Sequence, residues 1–138
     1  MADDKLRIEP VGLVSSPLRE PAEAPRQGDE GAPDAWLEFA PDLLDAIRDL
    51  RAGTDILVLT WLDRADRGTL VVHPRDDPSR PETGVFSTRS ADRPNPIGLH
   101  RVRILAIDGP RLHVGNLEAL DGTPILDVKP VLDRDTER

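Results

Sequence analysis

The sequence predicts a mainly β fold: an antiparallel sheet or barrel with one helix packed on it. Three observations carry that prediction. The chain has 14 prolines in 138 residues, roughly twice the usual share, which leaves little room for long helices. Apolar segments of strand length recur between Pro, Gly and Asp clusters. A single stretch, Pro41 to Arg51, places its apolar residues at helical spacing.

The elements follow in order. Ile8 to Ser15 reads as a first strand, with Ile8, Val11, Leu13 and Val14 apolar and Pro10 near its start. Ser16 to Pro33 is a loop rich in Pro, Gly, Glu and Ala, and composition reads Pro25-Arg26-Gln27 within it as solvated linker. Ala35 to Phe39 is a short strand. Pro41 to Arg51 is the helix: Leu43, Leu44, Ile47 and Leu50 share a face, Pro41 suits the first turn, Asp42 favours the N-terminus and Gly53 ends it. Ile56 to Leu62 is almost continuously apolar and predicts a central strand covered on both faces, with Trp61 as core or interface.

Asp63 to Gly68 is a charged turn, Thr69 to His73 a strand ended by Pro74, and Arg75 to Thr83 a polar loop. Gly84 to Ser87 is a short strand that leads into an unusual loop. Ile97 to Ile107 is a long strand in which Ile97 and Leu99 share one parity while Val102, Ile104 and Ala106 share the other; the slip predicts a β-bulge. Asp108-Gly109-Pro110 is a hairpin turn, and Arg111 to Leu117 returns with Leu112 and Val114 inward. Leu120 to Thr123 turns again, Pro124 to Val131 is the last strand, and the charged tail from Leu132 frays.

Length bounds the chain to one domain, 1–138, with a core from 8 to 131. The absence of cysteine excludes disulfides, thiolate metal sites and a Cys nucleophile. His73, His100 and His113 are too scattered for a helical metal motif, so no metal is expected. The N-terminus lacks an apolar signal core and no apolar run approaches the ~20 residues of a membrane span, which predicts a cytoplasmic protein. A net charge of −8 argues against a broad basic surface for nucleic acid.

The unusual loop is Thr88-Arg89-Ser90-Ala91-Asp92-Arg93-Pro94-Asn95-Pro96-Ile97-Gly98. Each proline fixes its own φ and drives the residue before it to extended geometry, so Arg93-Pro94-Asn95-Pro96 is stiff and non-helical. It is either a corner or a rigid wall for a ligand. A second polar cluster, Asp121 to Pro130, places Asp127 and Lys129 two apart on a strand and hence on one side. They form either an exposed ion pair or an Asp that receives a cationic or amine group, with Lys to orient it. There is no GxGxxG, no phosphate-binding Gly-Lys-Ser/Thr loop and no GxSxG, and Ser87 and Ser90 lack His and Asp partners in sequence. Spacing alone selects no reaction.

Four segments together resemble a known family. These are Val11-Gly12-Leu13-Val14-Ser15-Ser16-Pro17, Pro25-Arg26-Gln27, Phe86-Ser87-Thr88-Arg89-Ser90 with Arg93-Pro94-Asn95-Pro96-Ile97-Gly98, and Leu120-Asp121-Gly122-Thr123-Pro124-Ile125-Leu126-Asp127-Val128-Lys129-Pro130. In this order they resemble the TsaA-like (TrmO-type) family, over about Ile8 to Val131. The chain departs from that pattern at Ala91, Glu118 and Val131, and it shows no added C-terminal domain of the kind longer members carry.

The resemblance implies a single-sheet antiparallel β-barrel, a homodimer, and S-adenosyl-L-methionine as cofactor. It implies methyl transfer to N6 of threonylcarbamoyl-adenosine beside the tRNA anticodon. The acidic charge keeps a small-molecule acceptor, or cofactor binding alone, as the alternative. Catalytic roles would fall to Asn95, Asp127 and Lys129. Asn95 would aim an amine, and Asp127 would hold the cationic cofactor or take a proton. Cofactor binding would fall to Arg26, Gln27, Phe86, Arg89, Arg93, Leu120 and Thr123. The arginines Arg89 and Arg93 would face a carboxylate or another anionic group, and Phe86 and Leu120 would cover adenine.

Overall fold

The computed structural model describes residues 5–19 and 31–132. Its strands are β1 (Gly12–Ser15), β2 (Ala35–Phe39), β3 (Asp55–Trp61), β4 (Val71–Val72), β5 (Thr83–Gly84), β6 (Ile97–Asp108), β7 (Arg111–Val114) and β8 (Pro124–Pro130). Six of them form one antiparallel sheet in the order β1-β2-β7-β6-β3-β8. Strand β8 pairs back to β1 through Gly12↔Ile125 and Leu13↔Pro124, so the sheet closes into a barrel and leaves none of these six strands as a free edge. β4 and β5 form a separate two-stranded hairpin.

Closure follows from alternation. Along β3, Ile56, Val58 and Thr60 point inward and are buried, while Asp55, Leu57, Leu59 and Trp61 face out and are half-covered. Inward residues from each strand meet in one core, among them Val14, Leu37, Ile56, Val58, Ile104, Leu112, Val114 and Ile125. Gly12 is required where β1 meets β2, because a Cβ there would run into the Glu38 carbonyl.

The helix is shorter than its apolar spacing predicts. Pro41–Leu43 is a 3-10 turn and α1 spans only Leu44–Ile47. Ile47 is buried and Leu50 packs against the core, but Leu44 is 46% exposed. The chain leaves the helix because Gly53, at positive φ, donates its N–H to the Ile104 carbonyl, and Ile104 N–H returns to Thr54. Pairing with β6 outcompetes another helical turn.

Four strand predictions are also corrected. The β6 pattern does not slip between Leu99 and Val102: its pairing to β3 is unbroken from Ile97 to Arg103. Gly98, His100, Val102 and Ile104 all face inward, and Ile97 and Leu99 are apolar residues on the outside. The irregularity lies instead opposite β7, between Ile104 and Ala106. Val85–Ser87 is a 3-10 turn rather than strand, and β1 begins at Gly12 rather than Ile8. The strand predicted as covered on both faces is covered fully on one only.

Truncating a core residue of this sheet leaves a cavity. Ile104→Ala should cost about 2–5 kcal/mol of unfolding free energy in urea titrations. Leu105→Ala, one residue along and 44% exposed, should change it by less than about 0.5 kcal/mol.

Candidate functional site

Antiparallel order brings alternate strand ends together. The end of β1, the start of β2, the end of β3, the start of β6, the end of β7 and the start of β8 lie at one end of the barrel. The α1 segment, between the end of β2 and the start of β3, belongs to the other end. The described segments 16–19, 31–34, 62–96 and 115–123 therefore form one rim, and the motif loops within them meet there.

The 85–95 stretch is held by its own arginine. Arg93 Nη1 donates to the carbonyls of Thr88 (3.0 Å) and Ser90 (2.9 Å), and Nη2 to that of Val85 (2.8 Å). A guanidinium is the one side chain that can span three carbonyls in a plane. Thr88 reinforces the turn by donating its hydroxyl to Val85 O and accepting from Ser90 N–H. Pro94 and Pro96 remove two donors, and Pro96 is fully buried with its carbonyl accepting from Leu62 N–H at 2.8 Å.

The charged turn after β3 clamps this loop from the side. Arg67 Nε donates to Pro94 O at 2.7 Å and Nη2 to Asn95 Oδ1 at 2.8 Å. Its guanidinium carbon also lies 5.1 Å from the Trp61 ring centroid. Asp66 N–H donates to Asp92 Oδ1, and Asp66 O accepts from Arg93 N–H. The same turn reaches the N-terminal segment, where Arg64 Nη1 donates to Arg19 O at 2.8 Å.

The third segment is tied to the first. Asp121 Oδ1 accepts from Ser16 N–H at 3.0 Å, Asp121 N–H donates to Leu18 O, and Gly122 N–H donates to Val14 O. Arg19 and Asp121 form an exposed ion pair at 3.6 Å. Gly122 sits at φ +82°, a backbone region that favours glycine.

Each sequence-predicted site residue has a definite place or lies outside the described residues. Arg26 and Gln27 lie outside them. Phe86, 83% exposed, and Arg89, also exposed, stand on the rim, with Asn95 exposed beside Arg67. Arg93 is half-buried with its donors turned onto backbone. Thr123 is buried, its hydroxyl donated to Leu120 O at 2.7 Å, so it fixes the turn that presents Leu120. Asp127 and Lys129 face outward on β8, paired with each other at 3.2 Å, and stand beside Leu59 and Leu57 of β3 rather than on the rim.

Sequence reasoning missed Arg67, Asp66, Asp92, Ser16 and Asp121 as organisers of the rim. The available signal was the density of charge in Asp63 to Gly68, directly after the most apolar strand, opposite a loop whose prolines leave carbonyls unpaired by the sheet.

A shallow depression of about 140 Å³ lies between Leu70, Gly84, Val85, Phe86 and Ser87, floored by the turn that Arg93 holds. Leu70, Val71 and Phe86 make it the rim's exposed apolar part. Two carboxyls titrate below their ordinary value, Asp55 through hydrogen bonds from Arg103 and then Arg101, and Asp77 through the Ser79 hydroxyl and then its N–H. Asp55 belongs to the opposite end of the barrel and Asp77 to the β4–β5 loop. Among the described residues no group of three or more His, Asp or Glu could hold a metal.

The closed sheet thus gathers a stapled, carbonyl-rich loop and an exposed apolar shelf at one end. The chain belongs to the family described as tRNA-methyltransferase O N-terminal domain, whose model matches residues 13–135. A probable S-adenosyl-L-methionine-binding protein of Methanothermobacter thermautotrophicus is 44% identical over 94% of this chain and 93% of its own length. One of the same name from Archaeoglobus fulgidus is 45% identical over 91% of this chain, but the match covers 34% of that protein. The crystal structure of TrmO from Pseudomonas aeruginosa superposes with a TM-score of 0.75 at 29% identity, over 93% of this chain and 56% of that one. The chain thus spans 93% of one of these relatives, 34% of another and 56% of the solved structure.

Arg93→Lys replaces a planar three-carbonyl staple with a point charge. Amide exchange at Thr88 and Ser90 should speed up about tenfold, corresponding to roughly 1.4 kcal/mol of local stability. The amides of β2 and β7, which pair with each other away from this turn, should exchange as before.

Proposed function

We propose that the rim binds S-adenosyl-L-methionine and that the chain transfers its methyl group to a nitrogen acceptor. The observation that carries this reading is the convergence on one rim of the three motif segments that lie within the described residues, around a loop whose shape is fixed by Arg93 and Arg67. Family membership and the names of the relatives point to the same cofactor.

The residues present fit that cofactor by chemistry. Arg89 offers an exposed guanidinium to a carboxylate. Phe86 and Leu70 offer an apolar surface to adenine. Asn95 accepts from Arg67 at Oδ1, which leaves its amide N–H groups to donate outward. Leu120, half-buried on its pinned turn, closes the rim on the side of β8. When bound, the cofactor supplies an electrophilic methyl on a cationic sulfur. The protein's contribution is then to aim the acceptor lone pair, and positioning supplies most of the acceleration. Arg93 takes a different part from the one its charge suggests: it shapes the loop, and Arg89 is the better partner for an anion.

The acceptor we favour is N6 of threonylcarbamoyl-adenosine beside the tRNA anticodon, the acceptor the motif resemblance implies; the family description, a tRNA-methyltransferase domain, agrees in substrate class. A small-molecule acceptor, or cofactor binding without transfer, is the second reading, favoured by the net charge of −8. Asp127 and Lys129 pair with each other on the outer wall, opposite Leu59 and Leu57 of β3. A homodimer joined through the outer face of β3 and β6 would cover Leu59, Leu99, Trp61 and Ile97, which are cross-strand neighbours there, and would place Asp127 and Lys129 at its margin. Ile97 and Leu99 are 40% and 41% exposed.

Calorimetry should detect S-adenosyl-L-methionine binding that weakens about tenfold or more in Arg89→Ala, the loss expected for one charge-assisted contact. Binding unchanged by Arg89→Ala and by Phe86→Ala would place the cofactor elsewhere. Nucleoside mass spectrometry on tRNA treated with protein and cofactor should show a gain of one methyl on the modified adenosine; cofactor binding without that gain selects the second reading. Leu99→Lys should convert a dimer to monomer in light scattering.

A further inference from the structure

Inside the barrel, just beneath the rim, lies a polar trio that the proposed chemistry does not use. His100 on β6 and Thr60 on β3 both point inward and are 4% and 0% exposed. His100 Nε2 and Thr60 Oγ1 are 2.7 Å apart, and His100 Nδ1 and Glu118 Oε1 are 2.6 Å apart. Gly98 admits the pair: a Cβ there would stand 2.7 Å from His100 Nε2. The ring is thus held on both sides, by a hydroxyl on one strand and a carboxylate on the 115–123 segment.

We propose that His100 is a positioning residue for the cofactor rim, acting through Glu118. The proposal rests on reading the rim as the S-adenosyl-L-methionine site. Glu118 lies between Leu117 and Ala119, both buried, and two residues before Leu120. Fixing its carboxylate therefore fixes where Leu120 and Asp121 emerge. His100 lies four residues beyond Pro96 on the strand that the Arg93-Pro94-Asn95-Pro96 loop opens. One side chain thereby ties the two halves of the rim together from within. An ionised carboxylate only accepts, so Nδ1 carries the proton facing Glu118, and in the neutral ring Nε2 accepts from the Thr60 hydroxyl. A buried carboxylate–imidazole bond is directional and costly to break, whereas an apolar residue at position 100 would fill space without orienting Glu118.

Thr60 and His100 are enclosed, so no substrate reaches them; their effect must be read through the rim. Glu118→Gln, His100→Leu and His100→Gln are to be made in the full chain. Glu118→Gln and His100→Leu should each weaken S-adenosyl-L-methionine binding by about tenfold among folded molecules. His100→Gln, whose amide can donate to Glu118 and accept from Thr60, should recover most of it. Amide exchange at Asp121 and Gly122, whose N–H groups bond Leu18 O and Val14 O, should rise about tenfold in Glu118→Gln and stay unchanged in β2. Nitrogen-15 spectra of the wild-type ring should show the proton on Nδ1. Variants that lower thermal stability yet leave both cofactor affinity and Asp121–Gly122 exchange within twofold of wild type would overturn the proposal and leave the trio as packing. If the wild-type chain does not bind the cofactor, the site reading fails, while the exchange measurement still decides whether His100 positions the rim.

Discussion

The pairing of β8 with β1 is the constraint on which everything else depends. Without it the sheet would have two open edges, and the loops carried by β1 would stand apart from those carried by β8. With it, antiparallel alternation gathers segments 16–19, 31–34, 62–96 and 115–123 at one end, although they are scattered through the chain. Motifs more than 100 residues apart then touch, as Ser16 and Asp121 do. The site needs no element of its own; it is made of what the strands leave over at one end.

What the closed sheet leaves over is mostly backbone carbonyl, and the rim is organised around that. Prolines in the loop supply acceptors without donors, so side-chain cations must satisfy them. Arg93 serves the carbonyls of Val85, Thr88 and Ser90, Arg67 that of Pro94, and Arg64 that of Arg19. These arginines add order more than net positive field. Asp66, Asp92 and Asp121 stand among them, and each of the three accepts from a backbone N–H. Arg93, Arg67 and Arg64 are thus turned onto carbonyls, while Arg89 stays exposed.

The strands were legible from the sequence because alternation and turn chemistry are local. β2 was found to the residue, and β3 and β6 within one or two. The helix was overestimated because spacing cannot see that Gly53 and Thr54 have partners on β6. The bulge was misplaced because it was inferred from apolar parity, and parity misleads when a histidine faces the core and two aliphatic residues face out. Of the candidate site, the rim loops were legible as motifs, but the direction of each side chain was not. Arg89 and Arg93 look alike in sequence, yet one is exposed while the other is spent on three carbonyls. The clamping turn, Asp63 to Gly68, was invisible as such because its partners lie 26 to 28 residues away.

The same distinction bears on Asp127 and Lys129. As residues of the resembling motif they belong with the loop residues, and the geometry separates them: they lie on the outer wall, paired with each other, next to an apolar strip of β3 and β6. An exposed ion pair of this kind contributes little to stability, so its place in the fold gives it no structural reason to exist. An outer wall with cross-strand aliphatic and aromatic pairs has no such reason either while it faces water. Both anomalies are removed together if the wall is covered by a second copy, because a two-fold axis presents each wall, with its margin of Asp127 and Lys129, to the other. Which rim those two residues would then approach depends on the angle of the two barrels.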